Sequence, residues 1–512
     1  MRLMRFGRIW VSALALLAGV CLLGSATAEK SGSYSPTIPA TWDDQAMAAF
    51  ELPLANPVSP RRHVTADYYY RIPVRPIYKS YPVYAPGKEP SGYMEWLKQQ
   101  EPVTLWDATK LKTENDWIEA GKIVFEAPIH FDENRFITLA NARDAEWYKR
   151  LGVSIASDGT VPFIRYVVRQ KGRAEVGVDS CATCHARVMP DGRVITGGQG
   201  NFPYEQAVAF SLRARVAEAG DKAQALEEVR RIHRRAFRKP WQKLDENTDY
   251  DGMSLEEIAS QHEAIPPGVH GRVTVSLQFP VATCNLIGVQ DAPYLDHTGL
   301  MRQRNPGDLM RYTALVQGIL HLDDYMGPDS REGLPPPATQ ERYGDDQLYA
   351  LVLYLYNLAP PANPHRFDAV AARGKKVFER EGCETCHTPP LYTNNKLTPA
   401  DGFAPPAEQL RLLNILPISV GTDAGLALLT QKGTGYYKGP SLKGVWHRGP
   451  FEHMGSVATL EDWFDPRRLR DDYVPTGFKG YGGKTRAVKG HEFALDLSPE
   501  DRKALIAFLK TL

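Results

Sequence analysis

Between about Val11 and Leu23 the chain is almost wholly apolar, behind Arg2, Arg5 and Arg8 and ahead of Ala26-Thr27-Ala28. A basic start, an apolar run too short for a membrane span and a small-residue site read as an export signal over residues 1–28. Cys21 invites a lipid anchor, but Val20 before it is a poor fit to the small residue such sites use. Helical spacing appears later. In Asp116–Glu126, Trp117, Ala120, Val124 and Phe125 fall on one face. A near copy follows: Gly121-Lys122-x-Val124-Phe125-Glu126 aligns with Gly374-Lys375-x-Val377-Phe378-Glu379. The pattern predicts further helices over 206–235, Gly307–Gly318, Asp346–Leu358 and from Pro499 to Leu512. Ser498 is the expected N-cap of the last, Pro499 its first residue and Asp501 the partner in a capping box.

Residues 29–115 lack such a period. Tyr68-Tyr69-Tyr70, Pro73-Val-Arg-Pro76 and Tyr81-Pro-Val-Tyr-Ala-Pro86 predict an extended Pro/Tyr-rich arm packed on the body, too aromatic for ordinary disorder. Ala359-Pro-Pro-Ala-Asn-Pro364 breaks the chain between a unit over 116–358 and another over 366–512. No other stretch reaches 18 apolar residues, so no membrane span is expected in the mature chain. The 61 basic and 60 acidic residues nearly balance, with no basic tail or stripe, which argues against a nucleic-acid partner.

The chemistry is carried by Cys181-Ala-Thr-Cys184-His185 and Cys383-Glu-Thr-Cys386-His387. Cys-x-x-Cys-His is the attachment signature of c-type haem: two thiols bond the porphyrin edge and the histidine ligates iron. A zinc site would need both pairs in one place, and a thioredoxin-like site has no need of the histidine. Two covalently bound haem c groups are therefore expected, with Cys181, Cys184, Cys383 and Cys386 as attachment points and His185 and His387 as ligands. Haem c is attached outside the cytoplasm, so the motifs and the export signal agree on the periplasm. Cys284 has no remaining partner and reads as a small buried residue.

The second axial position decides whether a haem passes electrons or binds a small molecule. His491, just before the last helix, is the leading distal ligand for the second haem, with His453 and Met454 as runners-up and a surface loop histidine as the bland reading. For the first haem, His233, His262, His270, His297 and His321 are candidates, and none has a spacing that recommends it. His233, in Arg230-Arg-Ile-His-Arg-Arg235, is expected on a solvated basic face. An open or weakly ligated first haem follows.

Pro440-Ser-Leu-Lys-Gly-Val-Trp-His-Arg-Gly-Pro-Phe-Glu-His-Met-Gly-Ser-Val-Ala-Thr-Leu460 resembles the C-terminal haem domain of the dihaem cytochrome c peroxidase and MauG superfamily. His453, Gly455 and Thr459-Leu460 match its pattern, as do the Gly-Lys-x-Val-Phe helices and Met189–Gly198. Two departures stand out. The ligand expected fourteen residues after His453 falls on Arg467, and Met454 replaces the usual Asp. Both, with the ending Gly490–Ser498, make the chain similar to the rubber-oxygenase-like branch. That resemblance implies a bis-histidine second haem completed by His491 and a reactive first haem. It also makes His453 a catalytic-site candidate and Trp241, the only tryptophan between the motifs, a candidate inter-haem relay, against simple packing beside Pro240. The chain is much shorter than the rubber-cleaving members, so no substrate carries over.

The expected fold is mainly α: two c-type cytochrome domains with long loops behind the arm. The expected function is a periplasmic dihaem oxidoreductase, peroxidase- or oxygenase-like, served by a small redox protein or a quinone-linked donor or acceptor. The alternative is a dihaem electron carrier without catalysis.

Overall fold

The computed structural model describes residues 34–56, 63–131, 136–237, 249–272, 276–322, 340–430 and 432–512. The expected export signal, residues 1–28, and Trp241 lie outside them. Two helix crossings organise the molecule. Glu114–Glu126 packs on Asp345–Tyr356, and Ala369–Arg380 packs on Pro499–Lys510. The sequence repeat has a physical reason at these crossings. A methyl group on Gly121 would overlap the backbone oxygen of Ala350 and the Tyr354 side chain, and one on Gly374 would overlap that of Ala504 and the Phe508 side chain. In both pairs glycine lets two backbones approach at an alanine, with an aromatic residue one turn further on.

The first crossing belongs to a large core that also takes in the arm. The arm is more structured than an extended segment. Thr65 caps a short helix, Ala66–Arg71, that carries Tyr68 and Tyr69 inward, and Trp42 stacks on Tyr69 at 4.7 Å. Ser80–Tyr84 then pairs antiparallel with Thr160–Gln170 at the edge of a four-stranded sheet completed by Arg173–Val178 and His130–Phe131. This sheet fills the interval between Phe125 and the first motif, where no strand was expected. The expected 206–235 helix is two, Tyr204–Glu218 and Lys222–Phe237, separated at Gly220. The other helices form within a few residues of expectation, the Gly307–Gly318 one as Pro306–Leu322. Ser498 caps the last as expected, but Asp501 binds Arg373 and Arg380 across the second crossing, and no capping box forms there. The fold is mainly helical with several small sheets. Among the described residues no helix is long and apolar enough to cross a membrane.

Candidate haem sites

Cys181–His185 forms one helical turn, which brings the two cysteines to the same side. Thr183, fully buried, donates to the Phe163 carbonyl at 2.7 Å and pins the turn to the sheet. Gly197 and Gly200 donate back to the carbonyls of His185 and Cys184, at 2.7 and 3.1 Å, and Gly200 leaves no room for a side chain there. Burial pushes the Cys181 thiol up to about 12 and Cys184 higher still. These are neutral thiols. Among the described residues no group of three or more His, Cys, Asp or Glu is placed to hold a metal ion.

The Nδ1–H of His185 donates to the Cys284 carbonyl at 3.0 Å, leaving Nε2 as a lone pair. Burial, then the neighbouring His270, pushes this imidazole down to about 4, so it is neutral near pH 7. Cys284 is thus more than small packing. Its carbonyl orients His185, and its sulfur lies 3.6 Å from His297 Nε2, which draws the thiol down against burial.

The second motif is a short 3-10 turn, Cys383–Thr385, entered through Gly382 in the left-handed region at φ 69°. His387 donates from Nδ1 to the Tyr392 carbonyl at 3.2 Å, again freeing Nε2. His491 faces it with ring centroids 6.3 Å apart. Two imidazoles on opposite sides of one ion, with metal–nitrogen bonds of about 2.0 Å and ring nitrogens roughly 1.1 Å from their centroids, stand about 6.2 Å apart. The residues therefore fit an iron held between them. Burial, His387 and Arg468 push His491 down to about 3, leaving a neutral ligand.

The His491 loop is held by a residue the sequence did not single out. Arg468 is fully buried and, among the described residues, forms no ion pair with a carboxylate. It donates to the carbonyls of Trp463 (2.8 Å), Val488 (2.6 Å), Gly490 (2.9 Å) and His491 (2.8 Å), and its guanidinium stacks over Trp463. Gly490, at φ 84°, lies against the backbone of Gly421 and Thr422, and His491 itself is left-handed at φ 47°. The His491 Nδ1 is buried without a partner, so packing against Trp463 and Phe493 and the Arg468 clamp set the ring.

His453 and Met454 sit elsewhere. The His453 Nδ1 pairs with Glu452, and Nε2 is 3.3 Å from the Tyr437 hydroxyl. That hydroxyl donates to the Asp423 carbonyl. Despite burial, His453 and Ser456 hold Glu452 down at about 2. Met454 is buried in a separate small core with Val269 and Leu277. The His453 carbonyl accepts from Ala282, which brings this loop of the C-terminal unit against the strand leading to Cys284.

Of the first-site candidates, His233 overturns its expectation: it is buried, 3% exposed, and bonded to His262. The His297 ring joins Cys284, and His270 is half-buried near His185 and in ring contact with Tyr204. The side chain of His321 lies outside the described residues.

No family model matches the chain, and no curated protein matches it. Similar solved structures include a hydrazine synthase from Kuenenia stuttgartiensis, at 17% identity and a TM-score of 0.28, covering 59% of this chain and 92% of that one. Another is a MauG-like protein associated with microbial copper homeostasis, at 17% identity and a TM-score of 0.30, covering 56% of this chain and 88% of that one. At such scores neither likeness bears on fold or chemistry.

Proposed function

We propose that the protein is a periplasmic dihaem c-type oxidoreductase with unequal haems. Cys383, Cys386, His387 and His491 would hold an electron-transfer haem; Cys181, Cys184 and His185 would hold the reactive one. Bound haem supplies one-electron chemistry and, where an axial position is open, binding of peroxide or oxygen. The chain's residues orient the imidazoles through Cys284 and Tyr392, keep both neutral by burial, and lock the His491 loop through Arg468. His453, buried between Glu452 and the Tyr437 hydroxyl on a loop bonded to Ala282, stays the proposed catalytic-site residue. Trp241 stays a proposed relay. Electrons would come from a small redox protein or a quinone-linked donor, and the substrate would be peroxide, oxygen or an oxidisable organic molecule.

The observation that carries this reading is the asymmetry. His387 stands 6.3 Å from a second imidazole, while among the described residues His185 has no such ring contact. One observation favours the plain electron carrier: His270 is a second, half-buried imidazole near His185. Cyanide and CO titrations of the purified holoprotein decide between them. One high-spin haem that binds both ligands is expected. Two low-spin haems that bind neither would sink the enzyme reading. His491→Ala should turn the second haem high-spin, and an unchanged bis-histidine spectrum would remove that assignment.

A further inference from the structure

Behind the first motif lies a buried array that haem attachment does not explain. Glu205, on the Tyr204–Glu218 helix, His233, on Lys222–Phe237, and His262, on Leu255–Glu263, are 4%, 3% and 3% exposed. The His262 Nδ1 lies 2.5 Å from Glu205 Oε2, and its Nε2 lies 2.9 Å from His233 Nε2. His233 Nδ1 is 2.7 Å from the Val229 carbonyl, and Glu205 Oε1 accepts from the Gly271 N–H at 2.7 Å.

Proton accounting gives each residue a role. A carbonyl only accepts, so the His233 proton is on Nδ1. Burial beside His262 holds His233 down at about 4, so its Nε2 is a lone pair and His262 must donate there. The Nε2 proton of His262 is thereby locked. Only the proton between His262 Nδ1 and Glu205 is free to move. With it on nitrogen the pair is imidazolium and carboxylate; with it on oxygen both are neutral, and every hydrogen bond survives. Burial opposes the carboxylate, but the contact to His262, with His270 and the Gly271 N–H, holds Glu205 below the ordinary carboxyl range, so the carboxylate is the resting form and the neutral pair its alternative.

Glu205 is the member of the array bonded to the strand that carries His270, through the Gly271 N–H at 2.7 Å. Its charge acts on Cys184 and on His270, which in turn acts on His185. The other groups facing the array are the Gly271 N–H on the strand side, Asp179 acting on His270, and the rings of Tyr250 and Phe237 against His233.

We propose that Glu205, His262 and His233 form an internal proton switch, in which a proton passes from His262 Nδ1 to Glu205 Oε2 when the His185 site gains an electron. An N–H bond breaks, an O–H bond forms, and no proton enters from solvent; the electron comes from the external donor. The direction follows from Coulomb's law, because negative charge arriving near Glu205 raises its proton affinity. The proposal rests on haem being bound at Cys181–His185. A brace that merely ties three helices together would share the geometry but would not respond to redox state.

Redox-difference infrared spectroscopy of the holoprotein separates the two. The first-site couple is identified as the one missing from a Cys181→Ala/Cys184→Ala variant. On its reduction a carboxylic acid C=O band should appear, shift in D2O and vanish in Glu205→Gln. That variant should also favour reduction of the same couple by at least tenfold, which is 59 mV for one electron, and leave the other couple in place. No such band in the wild type, or a band that survives Glu205→Gln, overturns the switch. Should that variant not fold, Glu205→Asp, which breaks the contact to His262, must abolish the band. If Cys181→Ala/Cys184→Ala loses no haem, the haem reading itself fails. If the haem is present but binds no cyanide, the reactive-centre reading fails and the infrared result still stands.

Discussion

At Cys181–His185 the histidine is oriented by a carbonyl 99 residues away, on Cys284; at Cys383–His387 the carbonyl belongs to Tyr392, five residues on. The first motif is thus built from tertiary structure. Its turn is pinned to a sheet, capped by Gly197 and Gly200, and backed by a buried array of ionisable groups. The second is local, reached directly from the Ala369–Arg380 helix and closed by one distant residue, His491. The same five-residue spelling therefore serves two environments. What surrounds the motif, more than the motif, separates a site fit for electron transfer from one with acid–base groups at hand.

The comparison can be broken most directly at the attachment cysteines. Cys181→Ala/Cys184→Ala and Cys383→Ala/Cys386→Ala should each halve the haem-to-protein ratio, measured after denaturation in alkaline pyridine, and each should spare the other haem's spectrum. Loss of both haems from either variant would mean the two sites are not independent. Next come the helix crossings. Gly121→Ala and Gly374→Ala each drive a methyl into a facing backbone oxygen, and each should cost roughly 3 kcal/mol or more in denaturant unfolding. Unequal costs would show that the repeated glycines do different work. A smaller effect is expected at the clamp. Arg468→Lys cannot reach four carbonyls and should cost about 2–3 kcal/mol while loosening low-spin ligation of the second haem alone. Weakest is a pH effect at His447, buried in the short turn Val445–His447. Burial, aided by Arg448 and Arg187, holds His447 down at about 4, so it is neutral when folded. Its unfolded form takes up a proton below about pH 6.5, so stability is lost as pH falls, by about 2 kcal/mol at pH 5. His447→Gln should flatten that part of the stability–pH curve, checked by thermal melts between pH 5 and 7.

Much of the frame was legible. The Gly-Lys-x-Val-Phe repeat marked one helix of each crossing, and Ser498 and Pro499 marked the start of the last helix, because helical period and capping are local. The sheet was not, because its strands at Ser80–Tyr84 and Thr160–Gln170 sit far apart in a Pro-rich arm and an insertion whose alternation is irregular. His233 illustrates the limit. Four arginines flank it and imply a solvated face, yet Arg230 reaches the Met253 carbonyl and Arg234 reaches Asp251, so their charged ends lie outside while the imidazole turns inward to His262.

The sequence by itself determined what is local: two Cys-x-x-Cys-His motifs, the paired glycine helices and an apolar run behind a basic start. Tertiary structure alone decided what each imidazole faces. His491 meets His387 because Arg468 holds a left-handed loop, Cys284 meets His185 across 99 residues, and Glu205, His262 and His233 meet from three helices. Long-range hydrogen bonds leave no period or spacing in a chain, since burial, not neighbourhood in sequence, brings their partners together.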